Sequence, residues 1–358
     1  MAISGASTDA SARVPNSPTG ATDARAEGFA QLFRRLHRNV ATVIKGKDDE
    51  IELALICLFA EGHLLVEDVP GVGKTHLARA LAASIEAAAT RIQFTPDLLP
   101  SDVTGVSIYR QSSNDFEFHP GPVFGNVVLA DEINRASPRT QSALLEVMAE
   151  RQVTVDGVAR DVPRPFMVVA TQNPIDMDGT YPLPEAQLDR FLMRTSMGYP
   201  DHAAELEILL DQSAIADIAA IRPVVSLRDA ERMVGAAEQI HVAHDVADYL
   251  LRIVTSTRTA PEVRLPVSPR GSVGLMRAAQ ARALAAGRSY VTPDDVRSLA
   301  RPVLAHRIVL TPDASLSGAR VETVLDRLIA AVPVPTSSSG TPPARHGGRT
   351  DAGAGSPD

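Results

Sequence analysis

The sequence predicts an α/β fold in which a parallel β-sheet is covered by helices and is followed by a small all-α domain. Two observations lead to this prediction. As far as about residue 200, short and nearly continuous apolar runs alternate with helical stretches, which is typical of parallel strands buried on both faces. After that point the strand pattern ends, and amphipathic helical stretches follow one another.

The first part of the chain contains three predicted strands, two helices and a hairpin. The strands are HLLVED, NVVLADE and FMVVATQNP, and the helices are KTHLARALAASIEAA and RTQSALLEVMAERQ. Alternating residues flank Asp156-Gly157, a dipeptide that favours tight hairpin turns, so RQVTVDGVARDVPR is predicted to form the hairpin. Ligands of parallel sheets bind beyond the carboxyl ends of the strands. The polar residues that end the three strands are therefore candidate site residues.

The second part contains five predicted helices. They are SLRDAERMVGAAEQI, VADYLLRIVTSTR, RGSVGLMRAAQARALAAG, VTPDDVRSLARPVLAHRI and VETVLDRLIAAV. Ser226 and Thr292 are predicted N-caps, and Pro293 suits the first position of the helix that follows Thr292.

Composition shifts predict the domain boundaries. We expect a disordered tail over residues 1–27, an α/β core over 28–200, a helical domain over 201–332 and a second disordered tail over 333–358. Both tails are rich in Ala, Ser, Thr, Gly and Pro and show no periodicity, which is typical of segments that cannot bury a core.

Charge and cysteine content narrow the range of functions. The net charge of −8 disfavours a general nucleic-acid binder, which usually carries a basic surface. Cys57 is the only cysteine, so an internal disulfide and a thiolate metal cluster are both excluded. No apolar run has the length of a membrane span, and the N-terminus lacks the apolar region of a signal peptide. The expected location is the cytoplasm, without membrane insertion.

The stretch DVPGVGKT, residues 68–75, fits the phosphate-binding pattern G-x-x-x-x-G-K-[ST] except that Asp68 replaces the first glycine. Gly71 and Gly73 would let backbone N–H groups hold phosphate oxygens at a helix N-terminus. Lys74 would reach the β- and γ-phosphates, and the Thr75 hydroxyl would bind Mg²⁺. Lys74 is one of only three lysines among 35 basic residues, and a guanidinium would not replace it. The alternative is a glycine-rich turn without a ligand.

Two of the strands end in residues suited to the chemistry of a bound triphosphate. Asp131 would hold Mg²⁺ through water, and Glu132 would polarise an attacking water molecule. Asn173 ends another strand, where its amide could contact a water near the γ-phosphate. The alternatives are two solvated acids and a loop asparagine before Pro174.

Two arginines are weaker candidates. Arg190, in PEAQLDRF, would act as an arginine finger on the γ-phosphate of a neighbouring subunit, although the stretch alone favours a surface ion pair with the adjacent acids. Arg270, in SPRGSVGLMRAA, lies in the first turn of a predicted helix, where a cation is mildly unfavourable and an anionic partner is expected. That anion is either ATP or an acidic side chain elsewhere in the chain.

Taken together, these segments resemble AAA+ ATPases. DVPGVGKT, LADEINRA, ATQNP, EAQLDRF and SPRG follow one another in the order and spacing of that class. FHPGPVFGNVVLADEINRASPRTQSALLEVMAERQVTVDG and TQNPIDMDGTYPLPEAQLDRF resemble the MoxR family in particular. The resemblance covers about residues 30–330. In that family the variant EDVPGVGKT is common, so Asp68 is compatible with a working loop.

The resemblance implies an AAA+ P-loop sheet, an all-α lid domain and a role for each motif residue. The roles are Walker A for Gly71, Gly73, Lys74 and Thr75, Walker B for Asp131 and Glu132, sensor 1 for Asn173, arginine finger for Arg190 and sensor 2 for Arg270. The implied nucleotide contacts are Ile44, Gly46, Pro70, Gly71, Val72, Gly73, Lys74, Thr75, His76 and Asp131. The implied Mg²⁺ ligands are Thr75 and, through water, Asp131.

The resemblance also implies an activity and partners. Members of the family are ring-forming, chaperone-like ATPases that use ATP and Mg²⁺ to remodel, mature or activate client proteins, often with von Willebrand A-domain partners. A homo-hexamer is expected. The family's inserted helix and hairpin correspond to TPDLLPSDVTGVSIYRQSSNDFEF and RQVTVDGVARDV. They are expected to move against the client when hydrolysis moves the lid through Arg270.

Three alternatives remain open at this point. A nucleic-acid remodelling ATPase is disfavoured by the negative net charge. A scaffold that binds ATP without hydrolysing it is disfavoured by the presence of Glu132 and Arg190. A metal-chelatase motor subunit is disfavoured because the sequence contains no recognisable acidic linker or metal-binding domain.

Overall fold

The computed structural model describes residues 18–68, 73–112, 114–172, 180–199, 202–210 and 221–335. The helices are α1 (Pro18–Ala41), α2 (Asp48–Phe59), α3 (Lys74–Ser84), α4 (Pro100–Thr104), α5 (Pro138–Glu150), α6 (Glu185–Leu188), α7 (His202–Leu210), α8 (Leu227–Glu238), α9 (His244–Thr259), α10 (Pro269–Ala285), α11 (Pro293–Leu304), α12 (Pro312–Leu316) and α13 (Val321–Ala331). The strands are β1 (Leu64–Glu67), β2 (Ala89–Gln93), β3 (Gly105–Arg110), β4 (Asp115–Pro120), β5 (Val127–Asp131), β6 (Gln152–Val155), β7 (Val158–Asp161), β8 (Met167–Gln172), β9 (Met193–Thr195), β10 (Val263–Leu265) and β11 (Val309–Leu310).

A parallel five-stranded sheet with the strand order β2-β5-β8-β1-β9 forms the centre of the fold. Successive side chains of β5 enter different hydrophobic clusters. Val127 and Leu129 pack with α1, α2, α3 and the helical domain, whereas Val128 and Ala130 pack with α5. Because both faces of the strand are buried, its sequence is nearly all apolar. The predicted α/β fold is confirmed.

The carboxyl ends of the parallel strands form one edge of this sheet, and their amino ends form the opposite edge. At the carboxyl edge, β1 ends at Glu67 and β5 ends at Asp131. At the amino edge, Leu64 of β1 pairs with Met193, the first residue of β9. The two edges are about 15 Å apart, because the chain between them, residues 64–68, is extended and rises by roughly 3.3 Å per residue.

Helix α1 begins at Pro18, so the structure extends the ordered chain into the predicted N-terminal tail. The helix packs against the core through one apolar face. The buried residues of that face are Ala26, Ala30, Phe33, Leu36 and Val40. Their spacing of three and four residues is the helical period. The pattern was hard to find in the sequence because its first two members are alanines, which contrast little with the small residues of the tail.

Two antiparallel hairpins extend from the core. In the β6–β7 hairpin, Asp156 and Gly157 have φ values of 52° and 74°, the left-handed conformation that a two-residue type I′ turn requires. The predicted hairpin is therefore confirmed. In the β3–β4 hairpin, Tyr109 pairs with Phe116, and the centroids of their rings lie 5.3 Å apart.

Helices α8–α13 form the helical region that was predicted after the sheet. Both predicted caps are confirmed. Ser226 Oγ accepts a hydrogen bond from the backbone N–H of Asp229 at 3.1 Å, and Thr292 forms a capping box with Asp295. Among the described helices, none combines the length and the apolar character that spanning a membrane requires.

Candidate functional site

The predicted phosphate-binding loop joins β1 to α3. Pro70, Gly71 and Val72 lie outside the described residues. Gly73 is the N-cap of α3 and has a φ of 92°, a conformation that glycine adopts without the steric cost that a Cβ would bring. Lys74 begins the helix, and its Nζ donates a hydrogen bond to the backbone oxygen of Asp68 at 2.8 Å. The start of α3 therefore presents backbone N–H groups and one ammonium at the carboxyl edge.

Asp68 stands where the usual pattern has glycine, and its side chain has a structural role. The carboxylate is buried. Its Oδ2 accepts hydrogen bonds from Ser196 Oγ at 3.1 Å and from the backbone N–H of Gly198 at 2.5 Å. Asp68 thus ties the beginning of the loop to the chain that leaves β9.

Asp131 and Glu132 are positioned by one hydroxyl group on the neighbouring strand β8. Thr171 Oγ1 donates to Asp131 Oδ1 at 2.6 Å and accepts from the backbone N–H of Glu132 at 2.8 Å. Glu132 has a φ of 56°, which is uncommon outside glycine and turns its side chain away from the direction of the strand. The second carboxylate oxygen of Asp131 accepts from Arg91 at 2.6 Å.

The Glu132 carboxylate lies in a polar setting at the same edge. Its Oε2 accepts from Arg135 at 2.8 Å and from Gln93 at 3.1 Å. Partial burial lowers the pKa of Lys74, while the carboxylates of Asp68, Asp131 and Glu132 oppose that shift. Lys74 is bonded to Asp68 at the end of β1, and β1 and β5 both pair with β8 in parallel, so Lys74, Asp131 and Glu132 lie at the same edge of the sheet.

These residues fit a nucleoside triphosphate with Mg²⁺. A helix N-terminus with a lysine at its first position suits phosphate oxygens. The Asp131 carboxylate and the Thr75 hydroxyl are the oxygen ligands that Mg²⁺ prefers. Thr75 and His76 follow Lys74 in the first turn of α3, where both are half-buried.

Two of the implied nucleotide contacts, Ile44 and Gly46, lie at the turn between α1 and α2. Ile44 is buried, and Gly46 has a φ of 66°. The next residue, Lys47, donates from Nζ to the backbone oxygen of Tyr199 at 2.9 Å. Because Asp68 binds Gly198, this turn and the phosphate loop are joined to the same short segment after β9. Asn173 lies outside the described residues.

Arg190 lies at the opposite edge of the sheet from Lys74. It precedes β9, and the backbone N–H of Leu192 donates to the oxygen of His63, the residue before β1. The Arg190 guanidinium donates to the backbone oxygen of Leu145 in α5. Leu145 is one turn before Met148, whose oxygen contacts the His63 ring at 3.1 Å. Arg190 is therefore fixed near the amino edge, beyond the reach of Lys74 in the same chain.

Arg270 lies on the same side as Arg190. Ser268, the N-cap of α10, donates from Oγ to the Asp189 carboxylate at 3.1 Å. Arg270 is exposed in the first turn of that helix. Burial lowers the pKa of the Arg307 guanidinium, Asp189 opposes that shift, and the nearby charge of Arg270 adds to it. The structure therefore groups Arg270 with the Asp189–Arg190 segment.

The acids near these two arginines have other partners. Asp189 pairs with Arg307 at 2.8 Å, and Glu185 lies 3.6 Å from Arg264. Within the part of the chain that the structure describes, neither Arg190 nor Arg270 forms an ion pair. The alternative of an ordinary surface ion pair therefore has no support at either position.

Sequence reasoning missed four residues that orient the two acids. They are Arg91, Gln93, Arg135 and Thr171. The signal for Thr171 was present, because a threonine ends the apolar run of β8 two residues before Asn173. Arg91 and Gln93 belong to β2, and the register of β2 with β5, in which Gln93 pairs with Asp131 and Arg91 with Leu129, brings their side chains within reach of the acids.

We expect Thr171→Val to lower the free energy of unfolding by about 1–3 kcal/mol, the cost of leaving a buried polar partner unsatisfied. Valine keeps the shape of threonine but removes the hydroxyl group that serves Asp131 and Glu132. Urea denaturation measures the change, and Thr171→Ser, which retains a hydroxyl, is the control. Equal stability of Thr171→Val and wild type would contradict this role.

Two family models match the chain. The model described as "ATPase family associated with various cellular activities (AAA)" matches residues 63–193. The model of the "AAA lid domain" matches residues 255–328. The first range runs from the residue before β1 to the first residue of β9, and the second runs from within α9 into α13.

Similar proteins cover nearly the same length. The uncharacterized protein YeaC of Bacillus subtilis is 50% identical over 313 residues, which are 87% of this chain and 98% of that protein. Chaperone MoxR1 of Mycobacterium tuberculosis is 42% identical over 322 residues, 87% of this chain and 85% of MoxR1. A crystal structure of a protein from Cytophaga hutchinsonii has 34% identity and a TM-score of 0.82, covering 89% of this chain and 99% of that one.

Proposed function

This chain belongs to the MoxR family of AAA+ ATPases, and from that premise we propose that it is a Mg²⁺-dependent ATP hydrolase working as a ring of identical subunits, six as expected from the family. Each active site is shared between two subunits. One subunit contributes Lys74, Asp131 and Glu132, and its neighbour contributes Arg190 and Arg270.

The separation of these residues across the sheet carries the proposal. Lys74, Asp131 and Glu132 lie at the carboxyl edge, whereas Arg190 lies near the amino edge about 15 Å away by strand length. One side chain does not span that distance. Arg190 and Arg270 also have no carboxylate partner among the described residues, so each is available to an anion from outside the chain. A neighbouring subunit's triphosphate is such an anion.

Each residue has a task that follows from its chemistry. Bound Mg²⁺–ATP supplies the phosphoanhydride bond whose hydrolysis releases ADP and phosphate. Lys74 and the N-terminus of α3 bind phosphate oxygens, and Thr75 and, through water, Asp131 would hold the metal ion. Glu132 accepts the proton of the attacking water, and Asn173 orients that water. Arg190 stabilises the charge of the transition state from the neighbouring subunit.

The position of Arg270 supports a revised role for the helical domain. The sequence expectation was that hydrolysis moves this domain through Arg270. Because Ser268 is bonded to Asp189, Arg270 is grouped with Arg190 and responds to the neighbour's nucleotide. Hydrolysis in one subunit is therefore coupled to the helical domain of the next.

The work of the ring is the remodelling, maturation or activation of client proteins, with von Willebrand A-domain proteins as partners. The β3–β4 hairpin supports contact with a client, because it exposes apolar side chains. Those exposed by 40–67% are Val106, Ile108, Tyr109 and Phe116. Tyr109 and Phe116 pair on one face of the hairpin and Val106 and Ile108 lie on the other, so each face offers apolar groups to a client protein.

The dependence of ATPase rate on protein concentration tests this proposal. We expect the rate per subunit to rise with concentration and then to level off as rings fill, because an isolated chain lacks the neighbour's arginines. Light scattering on the same samples reports the assembly state. A rate per subunit that stays constant from monomer to ring would contradict the shared site.

A further inference from the structure

A buried arginine that belongs to none of the predicted motifs lies near the amino edge of the sheet. Arg307 follows α11 in a single turn of 3-10 helix and is 6% exposed. A fully buried guanidinium is costly unless all its donors are paired. The hydrogen-bond partners of Arg307 therefore indicate the structural role of this buried charge.

Apart from the Val303 oxygen and the His306 ring on its own segment, these partners lie on both sides of Arg190. Arg307 Nε donates to the Asp189 carboxylate at 2.8 Å. Its Nη2 donates to the backbone oxygens of Phe191 at 2.7 Å and Asp189 at 3.3 Å, and its Nη1 donates to that of Leu192 at 3.1 Å. One rigid fork thus holds the three residues that flank Arg190.

The same carboxylate is bonded to the start of α10. Ser268 Oγ donates to Asp189 at 3.1 Å, and Arg270 lies two residues further along. The helix also leaves space for Arg307. A Cβ added to Gly271 would lie 3.0 Å from Arg307 Cδ and 2.5 Å from Val267 Cγ1. Glycine at this position therefore avoids a clash with Val267 and a tight contact with the buried Arg307.

We propose that Arg307 is a positioning residue that joins Arg190 and Arg270 into one rigid unit, which acts on the nucleotide of the neighbouring subunit. This inference rests on the proposed function and extends it. Arg307 touches neither nucleotide. It fixes the backbone on both sides of Arg190 and, through Asp189 and Ser268, the first turn of α10. The two arginines then approach or leave the neighbour's phosphates together.

The test is Arg307→Lys in the full-length protein. Lysine keeps a positive charge beside Asp189 but cannot form the fork of bonds to three backbone oxygens. We expect kcat for Mg²⁺–ATP to fall by about 10²-fold, the cost of displacing a reacting group by about 1 Å. The affinity of the same chain for ATP is expected to stay at the wild-type value, because Lys74 lies at the other edge.

Mixed rings distinguish positioning from a purely structural role. A Lys74→Ala subunit has an intact Arg307, Arg190 and Arg270, and it can present them to an Arg307→Lys neighbour. We expect mixing to restore hydrolysis in the Arg307→Lys sites. A loss of kcat that mixing does not restore would show that Arg307 serves its own subunit only, and the proposal would be wrong.

Arg288→Lys is the matched control. Arg288 forms two bonds to the buried Asp295, at 2.6 and 2.7 Å, within the helical domain and without contact to residues 189–192. The Arg288→Lys protein loses a comparable pair of guanidinium hydrogen bonds. Its kcat is nevertheless expected to match that of wild type. Equal kcat values for the Arg307→Lys and Arg288→Lys proteins would overturn the proposal.

Ser268→Ala keeps the proposal testable if Arg307→Lys does not fold. It removes the hydroxyl link between Asp189 and α10, together with the N-cap bond that Ser268 Oγ accepts from the backbone N–H of Gly271. We expect a several-fold fall in kcat that Lys74→Ala subunits restore. Wild-type kcat in Ser268→Ala would contradict the link. Normal ATP hydrolysis by Arg190→Ala would instead contradict the proposed function itself. A second outcome would reject only the positioning role of Arg307. In it, Arg190→Ala has a low kcat that Lys74→Ala subunits restore, while Arg307→Lys has the kcat of wild type.

Discussion

Arg190→Ala is expected to lower kcat for ATP hydrolysis by about 10³–10⁵-fold, the range found for arginine fingers, while ATP binding to the same chain is unchanged. The reason is geometric. Arg190 is held near the amino edge by the backbone oxygen of Leu145, far from the Lys74 of its own chain. Its guanidinium can therefore stabilise a transition state only in another subunit.

Steady-state turnover and ATP affinity, measured at a protein concentration where rings are complete, check this prediction. Arg228→Ala is the control, since Arg228 is exposed and, like Arg190, forms no ion pair among the described residues. The control is expected to behave as wild type. If Arg190→Ala turned over at the rate of Arg228→Ala, Arg190 would be an ordinary surface residue.

Glu132→Gln is expected to lower kcat by about 10²–10⁴-fold, the usual contribution of a general base, and to retain ATP. Glutamine has nearly the shape of glutamate, and its amide oxygen can still accept from Arg135 and Gln93. What it loses is the charge and basicity needed to take a proton from water. Nucleotide should therefore remain bound as ATP.

Single-turnover hydrolysis, with the bound nucleotide identified after separation, measures this effect. Glu146→Gln, an exposed acid on α5, is the control for removing one negative charge. Bound ATP should persist in Glu132→Gln and be converted to ADP in Glu146→Gln. Normal turnover by Glu132→Gln would remove Glu132 from the chemistry and favour another base.

The sheet was predictable because its signals are local. Strands β1, β5 and β8 are buried on both faces, so each is a nearly unbroken apolar run. The hairpin turn at Asp156-Gly157 and the caps at Ser226 and Thr292 depend on residues a few positions apart. Strand β2 was not predicted, since only Ile92 among its residues is buried.

The partners within the site were not predictable, because they come from distant parts of the chain. The sequence places Asp189 beside Arg190 and suggests an ion pair between neighbours. In the structure Asp189 binds Arg307, 118 residues away, which leaves Arg190 without an acidic partner. Thr171 meets Asp131 only through the pairing of β8 with β5. Such contacts depend on topology, which no local pattern of residues contains.

Mixing Lys74→Ala with Arg190→Ala subunits tests the shared site most directly. Lys74→Ala is expected to bind no ATP, and Arg190→Ala to bind it without efficient hydrolysis, so each protein alone is nearly inactive. When equal amounts of the two proteins mix randomly in rings with head-to-tail contacts, about a quarter of the interfaces combine an intact Lys74 with a neighbour's intact Arg190. We predict that ATPase activity returns on mixing, in proportion to those interfaces. A mixture as inactive as its components would contradict a site built from two subunits.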